Sequence, residues 1–252
     1  RLQNCGGMPQ NLFLTETGGG FKSPVNLQLS PDGKFATFAI YTSPSNKNTI
    51  VPDYVDASGY TTDLRTRSKV GNEPTKTEVG IYDLQRDTVY FISASDLPGI
   101  KDLPDYVTDY PDKTWAEKER DVMFSNPYFS PDGKKAIINA SSADNKDRWI
   151  AEIDLETGKL NILDRQRDEA WIGGPGIGRS SFGGTLGWLP DSKHIYFQSE
   201  ESGYSHLYLL DVTNGEKKAL TSGTYEVFNP FMSKDKKSWY LTTSEVDPGE
   251  RH

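Results

Sequence analysis

A chain of 252 residues with a formal net charge of -8 and an isoelectric point near 5.0 argues against nucleic acid or an anionic membrane as its main partner, because either demands a basic face. Hydrophobic residues at 35% and charged residues at 25% permit a core and exclude a disordered chain. Aromatics at 12%, with 23 Gly and 15 Pro, favour strands joined by turns.

No apolar run approaches the roughly 18 residues of a membrane span. No secretory leader is visible, although the sequence opens on Arg1 and one could have been removed. The stretch LQNC (2–5) has the cysteine of a lipoprotein attachment site without the small residues that should precede it. Cys5, the one cysteine, can form no internal disulfide and reads as a free thiol near a frayed terminus.

The first strong signal is SPDGK at 30–34, followed by the apolar run FATFAIY (35–41). Pro sets the first turn dihedral, Asp bonds the backbone two residues on, and Gly takes the left-handed position. The result is a tight hairpin between a short strand, NLQL, and a long one. SPDGK returns at 130–134 before KAIINAS. It recurs in worn form as LPDSK (189–193) before HIYFQSE and as SKDKK (233–237) before SWYLTTS.

A second repeat follows each of the first three: IYDLQRD (81–87), EIDLETG (152–158) and LLDVTNG (209–215), each leading into a further strand. Within WIAEIDL, Trp149, Ala151, Ile153 and Leu155 face one way, and Glu152 and Asp154 the other. The unit is strand, tight turn, strand, connection, strand, turn, strand. Four antiparallel strands in roughly 40–45 residues make a β-propeller blade.

The expected fold is therefore all-β, one propeller region over residues 1–252. Its blades lie at about 26–93, 126–165 and 185–221, with a partial blade at 227–252. About three and a half blades fall short of the four to eight of a closed ring. The first blade carries a polar insert at 42–76. Two long connections stand out: an Asp- and Pro-rich segment at 94–125, with a short helix expected over 113–121, and a Gly-rich segment, QRDEAWIGGPGIGRSSFGG, at 166–184.

Catalytic chemistry finds little support. Gly178–Arg179–Ser180–Ser181–Phe182 resembles G-x-S-x-G, but Phe182 replaces the second glycine and no strand–turn–helix surrounds it. Only His194, His206 and His252 could act as base. GGPGIG (173–178) lacks the Lys-Ser/Thr of a phosphate loop. Asp102, Asp105, Asp109 and Asp112 share a loop without calcium-loop spacing and read as a solvated acidic surface. No cofactor and no metal are expected. The one substrate-binding candidate is Asp168–Glu169 with Trp171. Adjacent carboxylates beside an aromatic ring can hold an amine through charge and cation–π attraction. An exposed acidic turn is the plainer account.

The stretch from Gly187 to His252, above all SEESGYSHLY (199–208) and LTSGTYEV (220–227), resembles a late propeller segment of dipeptidyl-peptidase-IV-like serine peptidases, of the prolyl oligopeptidase family. The resemblance covers most of 24–252. It implies a parent serine-type peptidase, exported to the periplasm or secreted, in which the propeller gates and positions peptide substrates. The Ser, Asp and His would lie in a C-terminal α/β-hydrolase domain of the same polypeptide. Nothing in this chain matches that domain, so no catalytic residue is assigned here. Relatives hold the substrate amine with a double Glu; its surrounding pattern is absent, and Asp168–Glu169 is only an analogue. The alternative is a non-enzymatic TolB-like propeller acting as a protein-binding module. Unpaired edges of an incomplete ring could also pair two copies as a homodimer.

Overall fold

The computed structural model describes residues 24–42, 47–69, 72, 75–179, 182–247 and 249. Cys5, Ser180, Ser181 and His252 lie outside the described residues. The chain divides into two compact units, one of residues 1–24 with 40–77, the other of 25–39 with 78–252.

Antiparallel strands dominate. The first sheet runs in the order β1 (Pro24–Leu29), β2 (Phe35–Thr42), β5 (Lys76–Asp83), β6 (Thr88–Phe91). Between β2 and β5 the polar insert forms its own hairpin, β3 (Asn48–Asp53) with β4 (Thr62–Ser68), registered through Val51 opposite Leu64 and Pro52 opposite Asp63. The second sheet contains β7 (Val122–Phe124), β8 (Tyr128–Phe129), β9 (Ala136–Ser142), β10 (Asp147–Ile153) and β11 (Leu160–Arg167), with β7 and β8 both pairing β9. A short ribbon follows, β12 (Ile177–Arg179) with β13 (Phe182–Gly184). The third sheet is β14 (Leu186–Trp188), β15 (His194–Ser199), β16 (His206–Asp211) and β17 (Lys217–Ala219) in sequence order. The last is β18 (Val227–Met232) with β19 (Trp239–Thr243).

The alternation along WIAEIDL builds two cores from one strand. Trp149, Ala151, Ile153 and Leu155 join Val79 and Ile81 of the first sheet in one cluster. Ile150, between them in sequence, joins Phe197, Tyr208 and Leu210 of the third sheet in another. Successive residues of a strand face opposite ways, so the second sheet is buried on both faces. Side-chain bonds cross between sheets as well: the Trp188 indole N–H donates to Tyr128 O at 2.8 Å. The Asn26 amide donates to Asn126 Oδ1 at 3.1 Å.

The helix expected over 113–121 does not form. That segment is irregular, and the helical turns of the connection are two 3-10 turns, Ala94–Asp96 and Asp105–Asp109. Its residues have stronger tertiary partners than a helix would give them. Trp115 packs edge-on against Tyr106 at 5.7 Å between ring centroids. Arg120 gives its backbone N–H to Ile100 O at 3.0 Å and its guanidinium to Asp147. Among the described residues, no helix is long and apolar enough to cross a membrane.

Candidate functional site

The Gly-rich connection leaves the end of β11 and is pinned at once to the β9–β10 turn. The Asp168 N–H donates to Lys146 O at 3.0 Å, and the Ile172 N–H to Asn145 O at 2.9 Å. Between these anchors Asp168 shapes the chain, its Oδ1 accepting the N–H groups of Ala170 at 2.6 Å and Trp171 at 3.0 Å. This is the Asx-type turn that a short acidic side chain favours. Trp171 is 56% exposed.

Glu169 turns toward cations. Its carboxylate pairs with Arg167 and with Lys146 Nζ at 3.1 Å, and accepts the Asp105 N–H at 3.3 Å. Partial burial opposes its charge, but the Lys146 hydrogen bond, the Asp105 N–H and Arg167 together hold its carboxyl below the usual value. The three predicted contact residues therefore share one turn, with Glu169 already ion-paired inside the protein.

A larger charge cluster beneath this turn is invisible in the sequence. The Asp147 carboxylate, fully buried, receives Arg120 at 2.6 Å, Arg165 at 2.9 Å and Arg167 at 2.6 Å. Arg120 also meets Asp144 at 3.3 Å, and Arg165 meets Asp102 at 2.9 Å. For Arg165, burial works against the charge, but Asp102 and Asp147 outweigh it and raise its pKa. These contacts hold the 94–125 connection on the second sheet. Leu97 and Ile100 are buried there, and the Trp149 indole donates to Pro98 O at 3.1 Å. Asp102 thus serves as an arginine partner. No three His, Cys, Asp or Glu cluster as a metal site among the described residues.

The two described histidines, His194 and His206, are held in structural roles. His206, buried, has Nδ1 3.0 Å from Thr221 Oγ1 and Nε2 3.0 Å from Gly223 O. With both ring nitrogens occupied, it is placed to fasten the 220–227 segment. His194 Nδ1 lies 2.6 Å from Asp191 Oδ2, in the hairpin turn that precedes it.

Four-stranded antiparallel sheets stacked face to face, joined by short turns and two long connections, define a β-propeller region. The chain belongs to the family described as the dipeptidyl peptidase IV (DPP IV) N-terminal region, whose model matches residues 21–252. It is 26% identical over 236 residues to an Aspergillus fumigatus protein named "Probable dipeptidyl peptidase 4", covering 90% of this chain and 28% of that one. A protein of the same name from Neosartorya fischeri is 27% identical over 237 residues, with the same coverage. The chain therefore spans just over a quarter of the length of these curated relatives. Among solved structures, Porphyromonas gingivalis dipeptidyl peptidase 4 matches 89% of this chain and 28% of its own, with a TM-score of 0.62 at 15% identity. That likeness is one of fold.

Proposed function

We propose that this chain is the propeller part of a serine exopeptidase or oligopeptidase. In this reading it gates and positions peptide substrates for an α/β-hydrolase domain elsewhere on the same polypeptide. The observation that carries the reading is the family match over residues 21–252, to a region known by its place in dipeptidyl peptidase IV. The coverage supports it: a stretch spanning 28% of its relatives leaves ample length for a second domain. Asp168, Glu169 and Trp171 remain the substrate contacts in this reading. The exposed indole supplies a cation–π face, and the Arg167 and Lys146 pairs fix the turn that presents it.

A polypeptide of residues 1–252 should leave a dipeptidyl-anilide substrate intact while the full-length protein hydrolyses it; turnover by the shorter chain would overturn the reading. In the full-length protein, Asp168→Asn should raise KM roughly ten-fold for free-amine peptides, about 1.4 kcal/mol, and spare N-acetylated ones. Equal effects on both would remove the amine-binding role. The same reading places the protein in the periplasm or outside the cell, checked by cell fractionation; a homodimer is the separate outcome of pairing between open blade edges, checked by light scattering.

A further inference from the structure

Arg148 is the least expected charge in the molecule. Its side chain is 1% exposed, at the start of β10 where the second and third sheets meet. Every acceptor around it is neutral. Its Nε donates to Asn139 Oδ1 at 2.6 Å, and its Nη1 to Gln198 O at 2.6 Å and Gln166 Oε1 at 3.3 Å. Nη2 is buried with no partner among the described residues. Nearby Asp164 is engaged elsewhere, by Gln166 Nε2 at 2.8 Å and Lys217 Nζ at 2.7 Å.

Burial pushes the Arg148 pKa down to about 10, with Asp164 and Glu200 opposing the shift, so the guanidinium stays charged at neutral pH. A buried cation without a contacting anion is a costly arrangement, and an orphaned donor adds to the cost. Asp147, its neighbour in sequence, shows the contrast: three arginines on one carboxylate.

The Gly-rich segment lies against the residues that hold this guanidinium. Gly178 O sits 3.5 Å from both Asn139 Nδ2 and Ser141 Oγ, the outer limit of a hydrogen bond. A Cβ added at Gly176 would come within 1.8 Å of Gln198 Oε1, and one at Gly174 within 2.0 Å of Glu200 Oε1. Glu200 Oε2 accepts the Gly173 N–H at 3.0 Å, and Ser205 Oγ donates to Pro175 O at 2.6 Å. The glycine-rich backbone of 173–178 thus packs directly on the polar residues around Arg148, held to them by few hydrogen bonds.

We propose that Arg148 is an anion receptor for a carboxylate, covered by the 173–178 segment and reached when that segment lifts. The two N–H groups of Nη2 supply the hydrogen bonds, the buried cation with no anion in contact supplies the sign preference, and Ser141 and Asn139 line the way in. The carboxylate is either that of a small acid or the C-terminus of a peptide. This does not depend on the peptidase reading, because binding and not turnover reports it.

The test uses the full-length protein and calorimetry at low ionic strength with acetate, N-acetylglycine and N-acetylglycinamide. At least one of the two acids should bind ten-fold or more tightly than N-acetylglycinamide, and Arg148→Met should erase the difference. Glu200→Gln, which weakens the Gly173 anchor, should speed association and keep the discrimination. Acetate binding without N-acetylglycine assigns a small acid; N-acetylglycine binding assigns a peptide terminus. Equal affinity for acid and amide, or discrimination that survives Arg148→Met, would overturn the proposal. Should Arg148→Met not fold, an unchanged association rate in Glu200→Gln would overturn the covered-site geometry by itself.

Discussion

A left-handed residue closes each of the four repeated hairpins: Gly33 at φ +73°, Gly133 at +75°, Ser192 at +56° and Lys236 at +62°. The worn copies keep the backbone and lose the residue that adopts it without strain. A non-glycine there costs roughly 1–2 kcal/mol, partly offset because glycine loses more chain entropy on folding. Lys236→Gly should therefore stabilise the protein by about 0.5–1 kcal/mol, read as a rise in the urea midpoint. The second repeat is likewise an aspartate device, in which Asp83, Asp154 and Asp211 accept the N–H two residues on. The Lys193 hydrogen bond, then Thr213, hold the Asp211 carboxyl far below the usual range. A depressed carboxylate contributes stability above its unfolded pKa of about 3.9 and loses it as pH falls through the folded value. Asp211→Asn should lower the urea midpoint at pH 7, and the difference should shrink below about pH 4.

At the scale of elements, the two long connections are fastened by different means. The 94–125 segment hangs on Asp147; removing one partner of a buried charge cluster typically costs 3–5 kcal/mol. Asp147→Asn should destabilise by about 3 kcal/mol, with hydrogen exchange rising first at Leu97 and Ile100. The 166–184 segment depends on close backbone approach. A Cβ at Gly184 would lie 2.2 Å from Gly176 O, on backbone already at φ +68°, so Gly184→Ala should cost about 1–3 kcal/mol. The blades were legible because their signals are local: a turn tetrapeptide, an aspartate and strict alternation. The β3–β4 hairpin was not, because Ile50, Val51, Tyr54 and Tyr60 stay exposed and a strand with no buried face carries no alternation. The Asp147 cluster draws Arg120 from the long connection and Arg165 and Arg167 from β11, and only the folded sheet brings them together. Arg148 hid in SADNKDRW, a stretch that reads as solvated turn.

Among the described residues, the first and last sheets each leave large apolar side chains exposed, as the β3–β4 hairpin does. The second sheet is covered on both faces. On the first, Leu27 is 41%, Leu29 61% and Phe91 50% exposed; on the last, Phe231 is 61% and Tyr240 57% exposed, their rings stacked at 5.3 Å. Blade faces carrying such residues pack against other apolar surface in a propeller, and left bare they promote association. The sign of one substitution pair separates the two situations. In a polypeptide limited to residues 1–252, Leu29→Ser with Phe231→Ser should reduce dye binding and self-association, measured by fluorescence and light scattering. In a full-length protein whose further blades cover those faces, the same pair should destabilise by about 1.5–3 kcal/mol for each side chain fully buried there. Equal effects in both proteins would show that Leu29 and Phe231 remain solvent-exposed in the complete molecule, and that its blades do not close over them.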